Sequence, residues 1–356
     1  MSTVYILVAI LLFGVFIAIH EFGHFITAKA CGVLVHEFSI GMGPLLWQKQ
    51  GKETAYSLRL LPLGGYCAIE GEDESSDDPR SLSSQSYLRQ VLVFVAGAAM
   101  NFLLGLLIVL VLYSSAAAFL TPTIVSVREG SPNAGKDGIM VGDVLYELNG
   151  ERIYLFNDVD LVMSMGDFDA DRTLHAVLLR NGEKIERAIR RTEYVNEDGS
   201  RDYAYGFSYG DVVKADAGLK LKTAWYTSLD FVRMTRMSLK MLLSGEAGMK
   251  DLSGPVGIVS TMEQMGSEAE TKRDGLENIL YFGALVSVNL AVMNLLPLPV
   301  LDGGKVLILT LNTVSYRLFR KRIPKRFENA LATVCFALLM TMMIFVTFSD
   351  ITRLFA

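Results

Sequence analysis

Two histidines and a glutamate, His20, Glu21 and His24, close an uncharged run of seventeen residues from Thr3 to Ile19. A backbone crossing hydrocarbon must satisfy its polar groups internally, so such a run folds as a helix. On a helix, residues four apart share one face, and His20 and His24 can offer two imidazoles to one metal ion. Glu21 falls beside them, placed to take a proton from water activated by the metal. The whole chain holds four histidines. Ionisable side chains at the inner end of an apolar helix are costly and usually functional. The bland alternative is a pair of helix-face histidines satisfied by neighbouring groups.

A tetrahedral catalytic zinc takes three protein ligands and keeps its fourth position open. The candidate for the third is Asp302. It ends a second uncharged run, Asn278 to Leu301, whose last residues read Asn294-Leu-Leu-Pro297-Leu-Pro299-Val-Leu301-Asp302-Gly303-Gly304. The competing reading pairs Asp302 with Lys305, because charges inside membranes do pair with one another.

Hydrophobic residues make up 51% of the 356 and mean hydropathy is positive, which fits a chain whose apolar residues cluster into spans. Four stretches qualify: Thr3 to Ile19 continuing to about Ala28, Val91 to about Phe119, Asn278 to Leu301, and Asn329 to Ser349. Each meets or approaches the roughly 20 residues that a bilayer helix requires. The expected fold is a polytopic α-helical membrane protein with four transmembrane helices, a small membrane-associated β-region and an inserted α/β PDZ-like domain. A net charge of -5 argues against nucleic acid as a partner. Cys31, Cys67 and Cys335 are odd in number and share no ligand spacing, so neither a disulfide framework nor a cysteine zinc site is expected. The first run lacks a positive flank and a small-residue cleavage pattern, and reads as a retained helix rather than a signal peptide.

Short cytoplasmic loops are enriched in Lys and Arg. Arg317, Arg320, Lys321, Arg322, Lys325 and Arg326, opposed only by Glu328, place the link before the last span inside. Alternation then puts residues 32–88 inside, residues 129–277 outside, and both termini outside. His20 and Asp302 both arrive at the inner ends of their spans.

The expected divisions are 1–31 for the first span, 32–88 for a cytoplasmic-side β-region and acidic loop, 89–120 for the second span, and 121–212 for the extracytoplasmic PDZ-like domain. An amphipathic helix and re-entry segment occupy 213–275, the third span 276–311, a basic loop 312–328, and the last span with its tail 329–356. Within 32–88, strands are expected at Val33–Ile40, Tyr56–Leu61 and Tyr66–Ile69, separated by turns at Gly41 to Pro44, Gly51 and Gly64-Gly65. His36 reads as a strand residue, and Glu70, Glu72, Asp73, Glu74, Asp77 and Asp78 as a solvated loop. In the second span, Gly97, Gly105 and neighbouring alanines suit close helix packing, and Asn101 suits a hydrogen bond to a neighbour or a supporting role at the site. Beyond it, strands are expected at Thr123–Val127 and Val144–Leu148, a helix at Asn157–Met165, and a hairpin of Thr173–Leu179 with Lys184–Arg190 about Asn181-Gly182. Leu221, Trp225, Leu229, Val232, Leu239 and Leu243 recur at helical spacing, as in a helix on the membrane surface or one packed on the domain.

Ser131-Pro132 through Gly142-Asp143-Val144-Leu145, with Asn149-Gly150, resembles the signature of bacterial PDZ domains, which bind extended peptide ends by strand addition. Taken with His-Glu-x-x-His, Gly97-x-x-x-Asn101 and Asn294-x-x-Pro297-x-Pro299-x-Leu301-Asp302-Gly303, nearly the whole chain resembles the site-2 protease family, peptidase family M50. The likeness is to its RseP-like bacterial branch, with a single PDZ domain here. The resemblance implies one Zn²⁺ per chain held by His20, His24 and Asp302, with Glu21 catalytic. It implies that Asn289, Asn294, Pro297 and Pro299 hold unwound substrate, and that the β-region's edge strand pairs with it. The implied partners are single-pass membrane proteins, membrane lipid and a peptide ligand of the PDZ-like domain; the implied location is the cell membrane, with the active site near the cytoplasmic face. Two other readings compete. A silent adaptor needs no Glu21, and a metal transporter leaves the peptide-binding domain unexplained.

Overall fold

The computed structural model describes residues 3–72, 76–165, 172–195, 201–248, 252–321 and 323–354. Asp73 and Glu74 of the acidic loop and Arg322 of the basic link lie outside these residues. The chain divides into two compact units, one of Met1–Val109 with Met241–Ala356 and one of Leu110–Lys240.

The first unit opens with α1 (Thr3–Ala30), followed by a hairpin of β1 (Val35–Gln50) and β2 (Ala55–Ile69), then α2 (Tyr87–Tyr113). The hairpin is one long ribbon where three short strands were expected, pairing Val35 with Ile69 at its base and Gln50 with Ala55 at its tip. Gly41 and Gly43, with φ of 84° and 81°, absorb register shifts as bulges instead of ending the strand. A two-stranded ribbon has free edges, so it tolerates both the bulges and Pro44. Arg59 bridges the irregularity, donating to the Gly43 carbonyl at 3.0 Å and to the Tyr66 hydroxyl at 2.8 Å. At the ribbon's base, Val33, Val35 and Ile69 pack with Ala28, Leu82, Val93 and Phe94.

The second unit carries a six-stranded antiparallel sheet. Its strands are β3 (Ala118–Val127), β4 (Val144–Leu148), β5 (Glu151–Arg152), β6 (Leu174–Arg180), β7 (Glu183–Ile189) and, after a separate hairpin of β8 (Thr192–Val195) and β9 (Arg201–Ala204), β10 (Phe207–Lys214). Neighbours run β10-β3-β4-β6-β7, with β5 on β4. The helix α3 (Phe156–Met165) covers a core of Ile124, Leu145, Leu148, Val159, Val162 and Leu178. The second apolar run overshot its helix because β3 is also apolar: α2 ends at Tyr113, and the strand begins five residues later at Ala118. Arg180 grips Asp143 through two 2.8 Å hydrogen bonds and donates to the Lys136 and Gly138 carbonyls, which holds the 131–143 loop onto the sheet.

The long α4 (Ala217–Ser244) packs on protein through a face other than its apolar stripe. Thr223, Ala224, Thr227 and Phe231 are buried, whereas Leu221, Trp225 and Leu243 are exposed. Arg233 lies 3.4 Å from Asp158 and 3.3 Å from Asp230. Asp158 accepts the Tyr154 and Leu155 amides at 2.7 and 3.1 Å and caps α3. Burial, and then the neighbouring Asp158 carboxyl, pushes the Asp230 carboxyl well above the usual range. A carboxyl whose folded-state pKa is raised takes up a proton on folding. Stability therefore falls as pH climbs from the ordinary aspartate value, about 3.9, towards the raised one. Asp230→Asn keeps the size of the side chain beside Asp158 without the ionisation. The full chain in detergent should show a wild-type unfolding midpoint that drops between pH 5 and 8 and a flatter profile for the variant, with a gain of ~1 kcal/mol at pH 8. Parallel profiles would mean that Arg233 keeps both carboxylates charged.

Back in the first unit, α5 (Pro255–Ser267), α6 (Lys272–Asn294), α7 (Asp302–Phe319) and α8 (Lys325–Leu354) complete the chain. Among the described residues four helices, Thr3–Ala30, Tyr87–Tyr113, Lys272–Asn294 and Lys325–Arg353, are long and apolar enough to cross a membrane. Phe16 of α1 packs with Met262 of α5 and Ile279 of α6. A buried Asp350 on α8 accepts the Gly254 and Gly257 amides at 2.9 and 2.8 Å, capping α5.

The expected third span, 276–311, needs correction. Its helix stops at Asn294, a turn of residues 295–301 follows, and α7 then runs to Phe319 through much of the expected basic loop. Pro297 and Pro299 lack amide hydrogens and force their preceding residues out of the helical region, so the run breaks there. Only 320–324 remain between α7 and α8.

Candidate metal centre

The break in the third span brings the separated polar residues together. His20 Nε2 lies 3.1 Å from His24 Nε2, and the Asp302 Oδ2 oxygen lies 3.1 Å from the first and 3.3 Å from the second. Zinc–nitrogen and zinc–oxygen bonds of about 2.0–2.1 Å give a tetrahedral edge of roughly 3.3 Å, so the triangle fits one ion. The Asp302 Oδ2 atom is buried, and despite its closeness to both rings it makes no well-formed hydrogen bond among the described residues. A simple imidazole–carboxylate pair leaves such an oxygen unexplained, whereas a cation satisfies it. Within the described residues this is also the one cluster of three such ligands with metal-binding spacing.

Each ligand is held by a different element. His24 Nδ1 donates to the Val93 carbonyl of α2 at 2.8 Å, which leaves Nε2 free for a metal. One turn further along α2, Gly97 passes so close that a Cβ there would sit 2.3 Å from His24 Nε2 and 2.7 Å from His20 Cε1. Expected as a helix-packing residue, Gly97 in fact shapes the centre. Asp302 opens α7, where a carboxylate also complements the helix N-terminus. His20 Nδ1 lies 3.4 Å from the Asn294 amide at the end of α6.

Glu21 is half-buried one residue past His20, and its electrostatic neighbours are His24, His20, Asp302 and Glu72. Gly65 of β2 packs over it: a Cβ at Gly65 would lie 3.4 Å from Glu21 Cγ. The bulged ribbon therefore runs past the carboxylate. The competing partner for Asp302, Lys305, instead pairs with Glu72 at 2.7 Å. Asn289 is exposed on α6 and Pro299 is half-buried in the turn. Asn101 is buried; its backbone carbonyl accepts the Ser287 hydroxyl at 2.8 Å, and its side-chain oxygen has no partner among the described residues. His36 lies on β1 against Glu70, away from the metal group. The three cysteines are free.

The Glu72–Lys305 pair ties the loop after β2 to the first turn of α7, one turn past Asp302. Lys305→Glu should weaken zinc retention about three- to tenfold, in keeping with the ~1 kcal/mol of a partly exposed pair, and the swap Glu72→Lys with Lys305→Glu should recover it. Metal competition with a chromogenic chelator reads the change; no recovery in the swap would deny the pair a role.

Membrane-length helices, one of which carries two of the three residues of this centre, define a multi-pass membrane metalloenzyme. A family model described as Peptidase family M50 matches residues 8–342, and the chain belongs to that family. A Clostridium perfringens protein named as a candidate zinc metalloprotease is 36% identical over 348 residues, covering 98% of each chain. A Clostridium acetobutylicum protein named in the same way is 34% identical over 351 residues, covering 99% of this chain and 98% of its own. The zinc metalloprotease RasP of Oceanobacillus iheyensis is 28% identical over 429 residues, covering 97% of this chain and 98% of its own. The chain is thus a zinc metalloprotease, and its cofactor is Zn²⁺.

Proposed function

We propose that this metalloprotease cuts peptide bonds within or near the transmembrane segments of single-pass membrane proteins. The observation that carries the reading is the triangle formed by His20 and His24, within the membrane-length helix α1, and Asp302, at the start of α7, with Glu21 beside it. His20, His24 and Asp302 would hold the ion, which would supply Lewis acidity toward a carbonyl and toward water. Glu21 takes the proton of the attacking water and returns it to the leaving amine.

A transmembrane helix hides its peptide bonds in its own hydrogen-bond ladder and must be unwound before attack. The β1–β2 ribbon supports that step, because its outer edges are unpaired among the described residues and Gly65 abuts Glu21. An extended substrate segment adds to such an edge as a further strand. Asn289, Pro297 and Pro299 are proposed to hold the unwound segment beside it. The exposed Leu45, Leu46, Trp47, Leu60 and Leu61 of the ribbon suit contact with lipid.

We read the second unit as PDZ-like and extracytoplasmic, with the active site near the cytoplasmic face of the cell membrane; the basic link before α8 supports that orientation. Edge strand β10 lies against α3, with the Tyr209 ring 5.0 Å from Phe156 and its hydroxyl on Asp160. A cavity of about 330 Å³ nearby is lined by Met163, Arg172, Arg191, Tyr203, Phe207 and Tyr209, a setting suited to a peptide end. In this reading the unit screens substrates by the size of their ectodomains, as in regulated intramembrane proteolysis, where an earlier cut trims anti-sigma factors or leaves remnant signal peptides.

The test is cleavage of a single-span membrane protein with a short ectodomain by the purified chain in detergent, with mass spectrometry of the products. New ends inside the apolar segment, stopped by o-phenanthroline and restored by zinc, support the reading. Cuts confined to the soluble flanks would overturn the intramembrane part.

A further inference from the structure

His20 and His24 both turn Nε2 towards Asp302, so both must carry their proton on Nδ1 if they are to bind a metal. For His24 the partner that enforces this is plain, because the Val93 carbonyl 2.8 Å from Nδ1 accepts and cannot donate. His20 Nδ1 faces the Asn294 amide at 3.4 Å, with Nδ2 as the atom placed nearest the ring. The oxygen and nitrogen of an amide have nearly the same shape, so its orientation follows from the network around it. With the NH₂ group towards His20, Nδ1 would have to accept, the ring proton would move to Nε2, and the metal-binding lone pair would be lost. With the oxygen towards His20, Nδ1 donates and Nε2 stays open.

The geometry points to Asn294 as a positioning residue of the metal centre: its amide oxygen accepts the Nδ1 hydrogen of His20 and holds the tautomer and ring orientation that present Nε2 to zinc. This differs from the substrate-holding role that family resemblance implies for the same residue. Asn294 is the last residue of α6, and the turn that starts there delivers Asp302 eight residues later. One side chain thereby couples the α1 ligand to the segment supplying the third ligand, as Val93 couples the second ligand to α2. The inference rests on His20 being a ligand.

The experiment measures zinc affinity of the full-length protein in detergent by chelator competition, without substrate, together with the visible spectrum of the cobalt-loaded form. Asn294→Leu, which keeps the bulk and removes the acceptor, should weaken zinc about 10- to 100-fold and change the cobalt spectrum. Asn294→Asp, which keeps an acceptor oxygen, should bind zinc within about threefold of wild type or more tightly, a rescue that loss of packing cannot mimic. If Asn294→Leu does not fold, judged by helical circular dichroism, Asn294→Ala takes its place. Unchanged zinc affinity in the removal variant with a raised KM for substrate overturns the inference and returns Asn294 to substrate binding. Equal weakening in the Asp and removal variants also overturns it. His20→Ala is the separate control: zinc retained there sinks the ligand assignment itself, whereas zinc lost there with Asn294→Leu unaffected sinks only the inference.

Discussion

Gly97→Ala should leave the protein folded and nearly free of zinc. A Cβ at this position would lie 2.3 Å from His24 Nε2, far inside van der Waals contact and on the atom that binds the metal. The ring cannot step aside cheaply, because its other nitrogen is tied to Val93, one turn back on the same helix. Residues four apart share a helix face, so the imidazole is clamped along the line from Val93 to Gly97. Alanine is a better helix former than glycine by about 1 kcal/mol, so α2 itself should persist. Metal analysis after purification should give less than ~0.1 zinc per chain with unchanged helical circular dichroism, since relieving the overlap means breaking the second ligand's support. A variant that held a full equivalent of zinc and cut substrate normally would show that the ligands approach α2 differently.

Glu21→Gln should behave in the opposite way, keeping zinc and losing the reaction. Glutamine has the size and hydrogen-bonding reach of glutamate but cannot accept a proton at neutral pH. Removing a general base of this kind lowers the rate about 10²- to 10⁴-fold. Glu21 is not part of the group of ligand atoms that lie within 4.8 Å of one another, so metal content should stay at one ion per chain. Turnover of the single-span substrate and zinc content, measured on one preparation, separate the outcomes. Cleavage within tenfold of wild type would remove Glu21 from proton transfer. Loss of both zinc and turnover would make it a structural support of the site.

Much of the centre was legible in the chain because its constraints are local. His20 and His24 share a face by helical period alone, and an apolar run of that length has few alternatives to a helix in lipid. Asp302 stood out because a carboxylate ending such a run demands a partner. The strands expected at Val144–Leu148, Thr173–Leu179 and Lys184–Arg190 from alternation and the Asn181-Gly182 turn lie within one residue of those observed. The stripe on α4 left open which side packs on protein, and only the burial of Phe231 and its neighbours shows that. The basic link looked like a loop because charge marks an orientation and says nothing of the backbone, which stays helical to Phe319.

By itself, then, the sequence determined the membrane class and marked the residues proposed as ligands and acid–base group, since a helical period and a polar residue ending an apolar run are local features. The tertiary structure alone decided that the chain breaks between α6 and α7, that Lys305 pairs with Glu72, and that the Val93 carbonyl and the Asn294 amide lie against the two imidazoles. These depend on contacts across 69 and 274 residues of chain for the two rings. A backbone carbonyl has no letter in the sequence, and an amide's partner is set by which helices meet.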